Sequence, residues 1–327
     1  MNRVTTVTVV LPAYNEGLEM AHSLTVLAEY LALHRGGYEF RYLIVDDGST
    51  DETFEVATRF ARWRPNVRVL RHDRNRGVGA ALRTAFADLR TDFALVLDVD
   101  LSYTPALGMQ LIEVLDREGA DIALASPYLR GGSVVNVPFV RRLLSREANR
   151  ILSLATGGRC VTLTCMVRAY RVDALRQIEF SDDGKAAIAE IALTAIRKQM
   201  RLIEVPATLQ WSPARRRDCR RIDVAGVLAQ IWGTLRLAFR HRPSLWLAVP
   251  GLFPGLLPIV VGALLIAHVG ATAIEAGTIA TLVIQYASLA LFTSQVTTFF
   301  ARASRRKRDL LTEGVSDNGY SLPPRVV

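Results

Sequence analysis

Asp98-Val99-Asp100 places two carboxylates one residue apart. On a continuing strand, residues i and i+2 share a face, so both could aim at one ligand. Carboxylate oxygens are hard donors that suit Mg²⁺ or Mn²⁺, and such ions commonly bridge one or two carboxylates to phosphate oxygens. The same spacing also occurs in solvated loops, so the pair alone decides little. What points to a site is its place directly after the apolar run 93–97. Two other polar groups share that setting. Pro12-Ala13-Tyr14-Asn15-Glu16 follows the run 4–11, where the proline is expected to stop a strand. Tyr14 offers a ring for stacking on a base and Glu16 an acceptor for base or ribose donors. Asp46-Asp47-Gly48-Ser49-Thr50-Asp51 follows the run 42–45. A doubled aspartate at a buried strand end is costly without a partner, whereas Asp51 also fits as a plain helix cap.

The elements that would position these residues alternate. Short apolar runs at 4–11, 42–45, 67–70, 93–97 and 122–125 read as buried strands. Helical spacing is expected over 18–33, 52–63, 80–89, 141–155 and 188–198, with a Gly-punctuated loop over 74–79 and a strand-like run over 162–170. Strands of this kind between helices predict an α/β fold, a mostly parallel sheet covered on both faces. Ligands then bind at the carboxyl ends of the strands, where all three polar groups fall.

Beyond residue 244 the composition changes. Residues 245–269 carry no full charge and exceed the roughly 20 residues that span a bilayer, and 278–301 are likewise uncharged. Arg236, Arg240 and Arg242 precede the first segment, and Arg302, Arg305, Arg306, Lys307 and Arg308 follow the second. These flanks predict a two-helix transmembrane hairpin with the catalytic domain and both termini cytoplasmic; a buried hairpin is the alternative. Residues 223–240 read as an amphipathic helix, either in the membrane interface or packed on the soluble domain. The divisions expected are a catalytic domain at 1–213, a basic loop and juxtamembrane helix at 214–244, two spans at 245–301 and a basic, disordered tail at 302–327.

The formal charge is +9 over 327 residues. Arginines cluster at Arg141, Arg142, Arg146 and Arg150, and again at Arg215, Arg216, Arg217, Arg220 and Arg221. Beside two apolar segments such clusters suit lipid phosphates and a bilayer. Nucleic acid is not expected, because no aromatics interleave with the arginines as stacking platforms. Cys160, Cys165 and Cys219 have no metal-ligand spacing, and their odd number fits a reducing compartment.

The motifs P-A-Y-N-E, V-D-D-G-S-T-D, N-R-G-V-G-A-A and D-V-D-L-S stand in an order and spacing that resemble family-two glycosyltransferases with the GT-A (Rossmann-like) fold. The resemblance covers roughly residues 4–213. It is closest to dolichyl-phosphate mannose synthases and bacterial polyprenyl-phosphate glycosyltransferases, several of which carry two C-terminal transmembrane helices. It implies that Pro12, Ala13, Tyr14, Glu16 and Asp47 hold the nucleotide of a GDP- or UDP-sugar. Asp98 and Asp100 would form the metal and diphosphate site, with Val99 alongside and Mg²⁺ or Mn²⁺ as cofactor. Arg141 and Ser145 match a helix that contacts phosphate. Arg215, Arg216 and Arg217 match a basic loop over the active site that serves the polyprenyl phosphate acceptor.

The chain departs from the pattern at three places. Ser102 stands where many relatives have Gln. Pro127 replaces an arginine in S-R-Y, with Arg130 nearby, and Thr164-Cys165-Met166-Val167-Arg168 replaces T-S-G-F-R. A lipid phosphate has its second pKa at about 6, so it is already anionic at neutral pH and needs no general base. The expected reaction is therefore one inverting displacement. A processive polysaccharide synthase is the enzyme alternative, but its R-x-x-R-W signature occurs here only at 59–63, ahead of the carboxylate pair. A non-catalytic membrane scaffold that binds nucleotide or acidic lipid is the other.

Overall fold

A computed structural model describes residues 4–211, together with Gly233, Arg236 and Leu237. The elements in chain order are β1 (Thr5–Ala13), α1 (Gly17–Leu33), β2 (Tyr38–Asp46), α2 (Thr53–Ala61), β3 (Val67–Arg71), α3 (Val78–Ala87), β4 (Phe93–Val96) and α4 (Pro105–Arg117). There follow β5 (Ile122–Ser126), β6 (Ser133–Val135), α5 (Phe139–Ala155), β7 (Arg168–Arg171), α6 (Val172–Leu175), α7 (Ala186–Arg197), β8 (Leu202–Pro206) and β9 (Thr208–Gln210). Both expected apolar spans and the Arg215 to Arg217 loop lie outside the described residues, as does the expected 223–240 helix apart from Gly233, Arg236 and Leu237, which are helical. Among those described, no helix is long and apolar enough to cross a membrane.

Among the described residues the main sheet has seven strands in the order β3-β2-β1-β4-β7-β5-β8. All neighbours run parallel except β7, which is antiparallel to both β4 and β5. Alternation explains why both faces are buried. Val7, Val9, Leu11 and Ala13 turn one way and join Met20, Leu24, Leu27 and Leu31 of α1, with α2 and α4, in one core. The opposite face is covered by α3, which packs on β1, β2 and α7. The chain moves outward through β1, β2 and β3, then returns to β4 on the far side of β1. That reversal opens a crevice at the carboxyl ends of β1 and β4.

Three expectations change. Pro12 does not stop β1; the strand continues to Ala13, with Pro12 opposite Val45. Val10 O accepts from Leu97 N on the β4 side, whereas Ala13 O accepts from Asp47 N on the β2 side. Alternation turns the missing N–H of Pro12 toward β4, beyond the last β4 pair at Val96, where no donor is needed. The strand-like run 162–170 shrinks to β7, and residues before it form a loop pinned by side chains. Helix α2 begins at Thr53 after Glu52, and Asp51 does more than cap it. Its Oδ1 accepts from Thr53 N at 3.0 Å and its Oδ2 from Gly17 N at 3.0 Å, tying together the starts of α1 and α2.

Candidate active site

Segments 14–16, 47–51 and 97–102 leave the sheet side by side at the crevice. The first two interlock. Asn15 N donates to Ser49 Oγ at 3.0 Å, and Asn15 Oδ1 accepts from Thr50 N at 2.9 Å. Asn15 has φ +55, a conformation that asparagine tolerates better than most residues. This turn leaves Tyr14 at the rim, 42% exposed, while Ala13 is buried and Pro12 and Glu16 are half-buried.

Asp47 is buried and already engaged. Its Oδ1 lies 2.7 Å from His72 Nδ1 and accepts from Arg76 N at 3.0 Å, and its Oδ2 accepts from Gly77 N at 2.7 Å. His72 Nε2 meets Thr84 Oγ1 at 2.9 Å. Asp47 thus latches the loop ahead of α3 to the end of β2. Gly48 in this turn has φ +70, and a Cβ there would overlap the backbone of Arg74. The N–H groups at the start of α3 do not face the crevice: Gly79 N donates to Asp183 O at 2.7 Å.

Asp98 and Asp100 do not lie on a continuing strand as expected. Strand β4 ends at Val96, and the carboxylates lie on a turn closed by Leu101 N to Asp98 O at 3.3 Å. Asp100 Oδ1 accepts from Ser102 N at 3.0 Å and from Ser102 Oγ at 2.7 Å. Leu101 sits at φ +50, which costs a branched side chain about 1–2 kcal/mol and is held only because its surroundings fix it. Val99 is buried in the core, so only its backbone can border the crevice. Among the described residues, no group of three or more His, Cys, Asp or Glu could hold a metal. Two carboxylates beside a hydroxyl fit Mg²⁺ or Mn²⁺ when further oxygens come from water and a diphosphate.

The floor of the crevice depends on residues that the sequence pattern did not reveal. Tyr103, next to Ser102, is buried, and Cys165 Sγ donates to its hydroxyl at 3.3 Å. The loop carrying Cys165 is fixed from three sides. Asn149 Oδ1 of α5 accepts from Leu163 N at 2.8 Å and Thr164 N at 3.1 Å. Glu204 of β8 accepts from Val161 N and Thr162 N at 2.7 and 2.8 Å. The fully buried Arg168 donates to Leu163 O at 2.6 Å and Ile188 O at 2.8 Å. Through Asn149 this scaffold also sets the position of α5, which carries Arg141 and Ser145.

Burial pushes the Cys165 thiol up from 9.0 to about 11, so it remains a neutral donor to Tyr103 at physiological pH. The sign of the consequence follows from linkage. The folded state keeps this proton while the unfolded state loses it above about pH 9, so the thiol's contribution to stability falls as pH rises toward 11. The urea midpoint is expected to drop between pH 8.5 and 10.5, and to drop less in Cys165→Ser. An equal drop in both would remove the thiol from the explanation.

Arg141 is half-buried on α5. Its guanidinium carbon lies 5.8 Å from the centroid of the Trp211 ring, and its buried Nε has no hydrogen-bond partner among the described residues. Trp211 and Asp100 line the same pocket, which links Arg141 to the carboxylate turn. Ser145 hydrogen-bonds the Tyr128 side chain, whose pKa is raised chiefly by burial. Arg130 is exposed in the turn after β5, while Pro127 is buried.

The profile of Glycosyl transferase family 2 matches residues 8–179. Dolichol-phosphate mannosyltransferase of Pyrococcus furiosus is 29% identical over 204 residues, which is 62% of this chain and 56% of that protein. Polyprenol monophosphomannose synthase of Mycolicibacterium smegmatis is 33% identical over 207 residues, 61% of this chain and 76% of that protein. The match therefore spans little more than half of the archaeal relative and about three quarters of the mycobacterial one. In fold, the chain is similar to glucosyl-3-phosphoglycerate synthase from Mycobacterium tuberculosis, solved with Mn²⁺, UDP-glucose and phosphoglyceric acid. That likeness has a TM-score of 0.53 at 19% identity and covers 72% of this chain and 79% of the other.

Proposed function

The chain belongs to glycosyl transferase family 2, and from that premise we propose that it moves a sugar from a GDP- or UDP-sugar to a polyprenyl phosphate at the cytoplasmic face of a membrane. The observation that carries the acceptor is Arg141. A half-buried guanidinium whose Nε has no hydrogen-bond partner among the described residues, set against the wall of the pocket that Asp100 borders, suits a second anion brought beside the donor. The two relatives above are named for dolichol or polyprenol phosphate mannosyl transfer. Helix α5 also exposes Phe139, Val140 and Leu143 beside Arg142 and Arg146, a mixture that fits an anionic lipid surface. The apolar segments 245–269 and 278–301 would anchor the chain there.

In this reading Tyr14 stacks on the base at the rim, with Pro12, Ala13 and Glu16 beside it and Asp47 holding the neighbouring loop. Asp98 and Asp100 would hold a divalent ion, which when bound would offset charge on the leaving diphosphate. A phosphate oxygen of the acceptor attacks the anomeric carbon. The bond to the nucleoside diphosphate breaks with its electron pair, and the configuration inverts. The acceptor is already anionic, so no side chain has to remove a proton. Its difficulty is repulsion from the donor, which Arg141, with Ser145 and Arg215, Arg216 and Arg217, would offset. Purified full-length protein should transfer sugar from one member of a GDP- and UDP-sugar panel to polyprenyl phosphate and leave free polyprenol untouched. Transfer to the free alcohol, or to neither, would overturn the reading.

A further inference from the structure

Glu190 lies half-buried in the second turn of α7 and spends its carboxylate on the loop ahead of that helix. Its Oε2 accepts from Ser181 N and Asp182 N, both at 3.0 Å, and its Oε1 from Ser181 Oγ at 3.3 Å. Asp182 Oδ1 accepts from Gly184 N at 2.8 Å, which closes the loop on itself. The loop's carbonyls meet the start of α3. Asp183 O accepts from Gly79 N at 2.7 Å and Ala80 N at 3.3 Å, so two helix N-terminal donors are satisfied there. Asp182 O accepts from Arg83 Nη1 at 2.9 Å, and the Arg83 guanidinium pairs with the Asp183 carboxylate.

The approach is as close as backbone allows. A Cβ on Gly77 would overlap Asp183 O, and one on Gly79 would overlap Asp182 O. Gly77 is thus gripped from two sides, because Asp47 Oδ2 takes its N–H at 2.7 Å. The segment 74–77 cannot move without displacing Asp183, and Glu190 sets the loop that carries Asp183. A loop already held in its bound shape spares a ligand the cost of ordering it. We propose that Glu190 is a positioning residue for the donor nucleotide. Through residues 181–184 it fixes the start of α3 and presses segment 74–77 against Asp47, so the nucleotide meets a preformed loop. This rests on the nucleotide-sugar reading above.

The test sets Glu190→Ala against Glu190→Gln in full-length protein in detergent with Mn²⁺. Calorimetry reads UDP and GDP binding, and initial rates with the nucleotide-sugar and polyprenyl phosphate separate KM from kcat. In Glu190→Gln the amide oxygen can still accept from Ser181 N and Asp182 N, so nucleoside diphosphate affinity should stay within threefold of wild type. Glu190→Ala leaves those two N–H groups without their acceptor. It should weaken the nucleoside diphosphate tenfold or more and raise the donor KM in step. Its kcat at saturating donor and its acceptor KM should stay within threefold, since Arg141 and Ser145 stand on α5. Arg83→Met frees the same loop from the α3 side and should weaken the nucleoside diphosphate in the same sense, with the acceptor KM unmoved. Unchanged nucleotide binding in Glu190→Ala, an equal loss in Glu190→Gln, or a loss confined to kcat or to the acceptor would each overturn the role. Should Glu190→Ala lack a cooperative melting transition, Arg83→Met decides, and wild-type nucleotide affinity there overturns it too. If neither diphosphate binds the wild type, the nucleotide-sugar reading falls first and takes this role with it.

Discussion

Asp98→Asn or Asp100→Asn should lower the transfer rate by about 10²–10³-fold or more, the scale of losing one electrostatic contact to a developing charge. Each change removes a charge at nearly constant volume. In Asp100→Asn the amide oxygen can still accept from Ser102 N and Oγ, so the turn that Asp100 now closes at 3.0 and 2.7 Å should persist. The loss should therefore appear in turnover, with the thermal melting curve little altered. The same rate should vanish in EDTA and return with Mg²⁺ or Mn²⁺. Undiminished transfer in chelator, or wild-type turnover in either variant, would remove the carboxylates from the chemistry. A melting transition that collapses in both would make their role structural.

Arg141→Ala carries the second large effect, and its signature is which substrate suffers. Truncating one partner of a desolvated charge pair costs about 2–5 kcal/mol. The expected result is at least a tenfold loss of kcat/KM for polyprenyl phosphate, while nucleoside diphosphate affinity changes much less. The triple alanine change at Arg215, Arg216 and Arg217 should act in the same sense. Arg141 also lies beside Trp211, so Arg141→Lys is the control that keeps charge while altering the ring contact. If these variants lose donor affinity and keep normal acceptor kinetics, the arginines serve the donor diphosphate instead.

Much of the donor side was legible because its signals are local. An apolar run followed by Asn15-Glu16, by Asp46-Asp47 or by Asp98-Val99-Asp100 announces a buried strand and its open end within a dozen residues. What failed there failed on detail. Pro12 continues a strand because a neighbouring strand happens to end early, and Asp98 and Asp100 lie on a turn with Leu101 in a left-handed conformation. The acceptor side was legible only in its arginines and in helix α5. Asn149 to Leu163, Glu204 to Val161 and Tyr103 to Cys165 join residues far apart in the chain, and such partners leave no periodic trace. Trp211 carries no local signal in the sequence. Only the placement of β9 beside the Asp100 turn gives it a wall to form.

The reversed strand β7 has a consequence for how the chain is assembled during synthesis. Strands β3, β2, β1 and β4 are made from the first hundred residues and pair in ladders with no later segment between them. Strand β5, although made soon afterwards, has no seat on that sheet until Arg168–Arg171 arrives to fill the place between it and β4. The far edge then waits longer, for β8. A nascent chain can thus shape the nucleotide half while the half bearing α5 is still unpaired, with an apolar β5 awaiting its neighbour. Long-range closures of this kind are slow relative to local ones. Translation pausing or truncation between residues 127 and 167 should therefore expose β5 as the segment most prone to wrong pairing, even though its own sequence is that of a good strand.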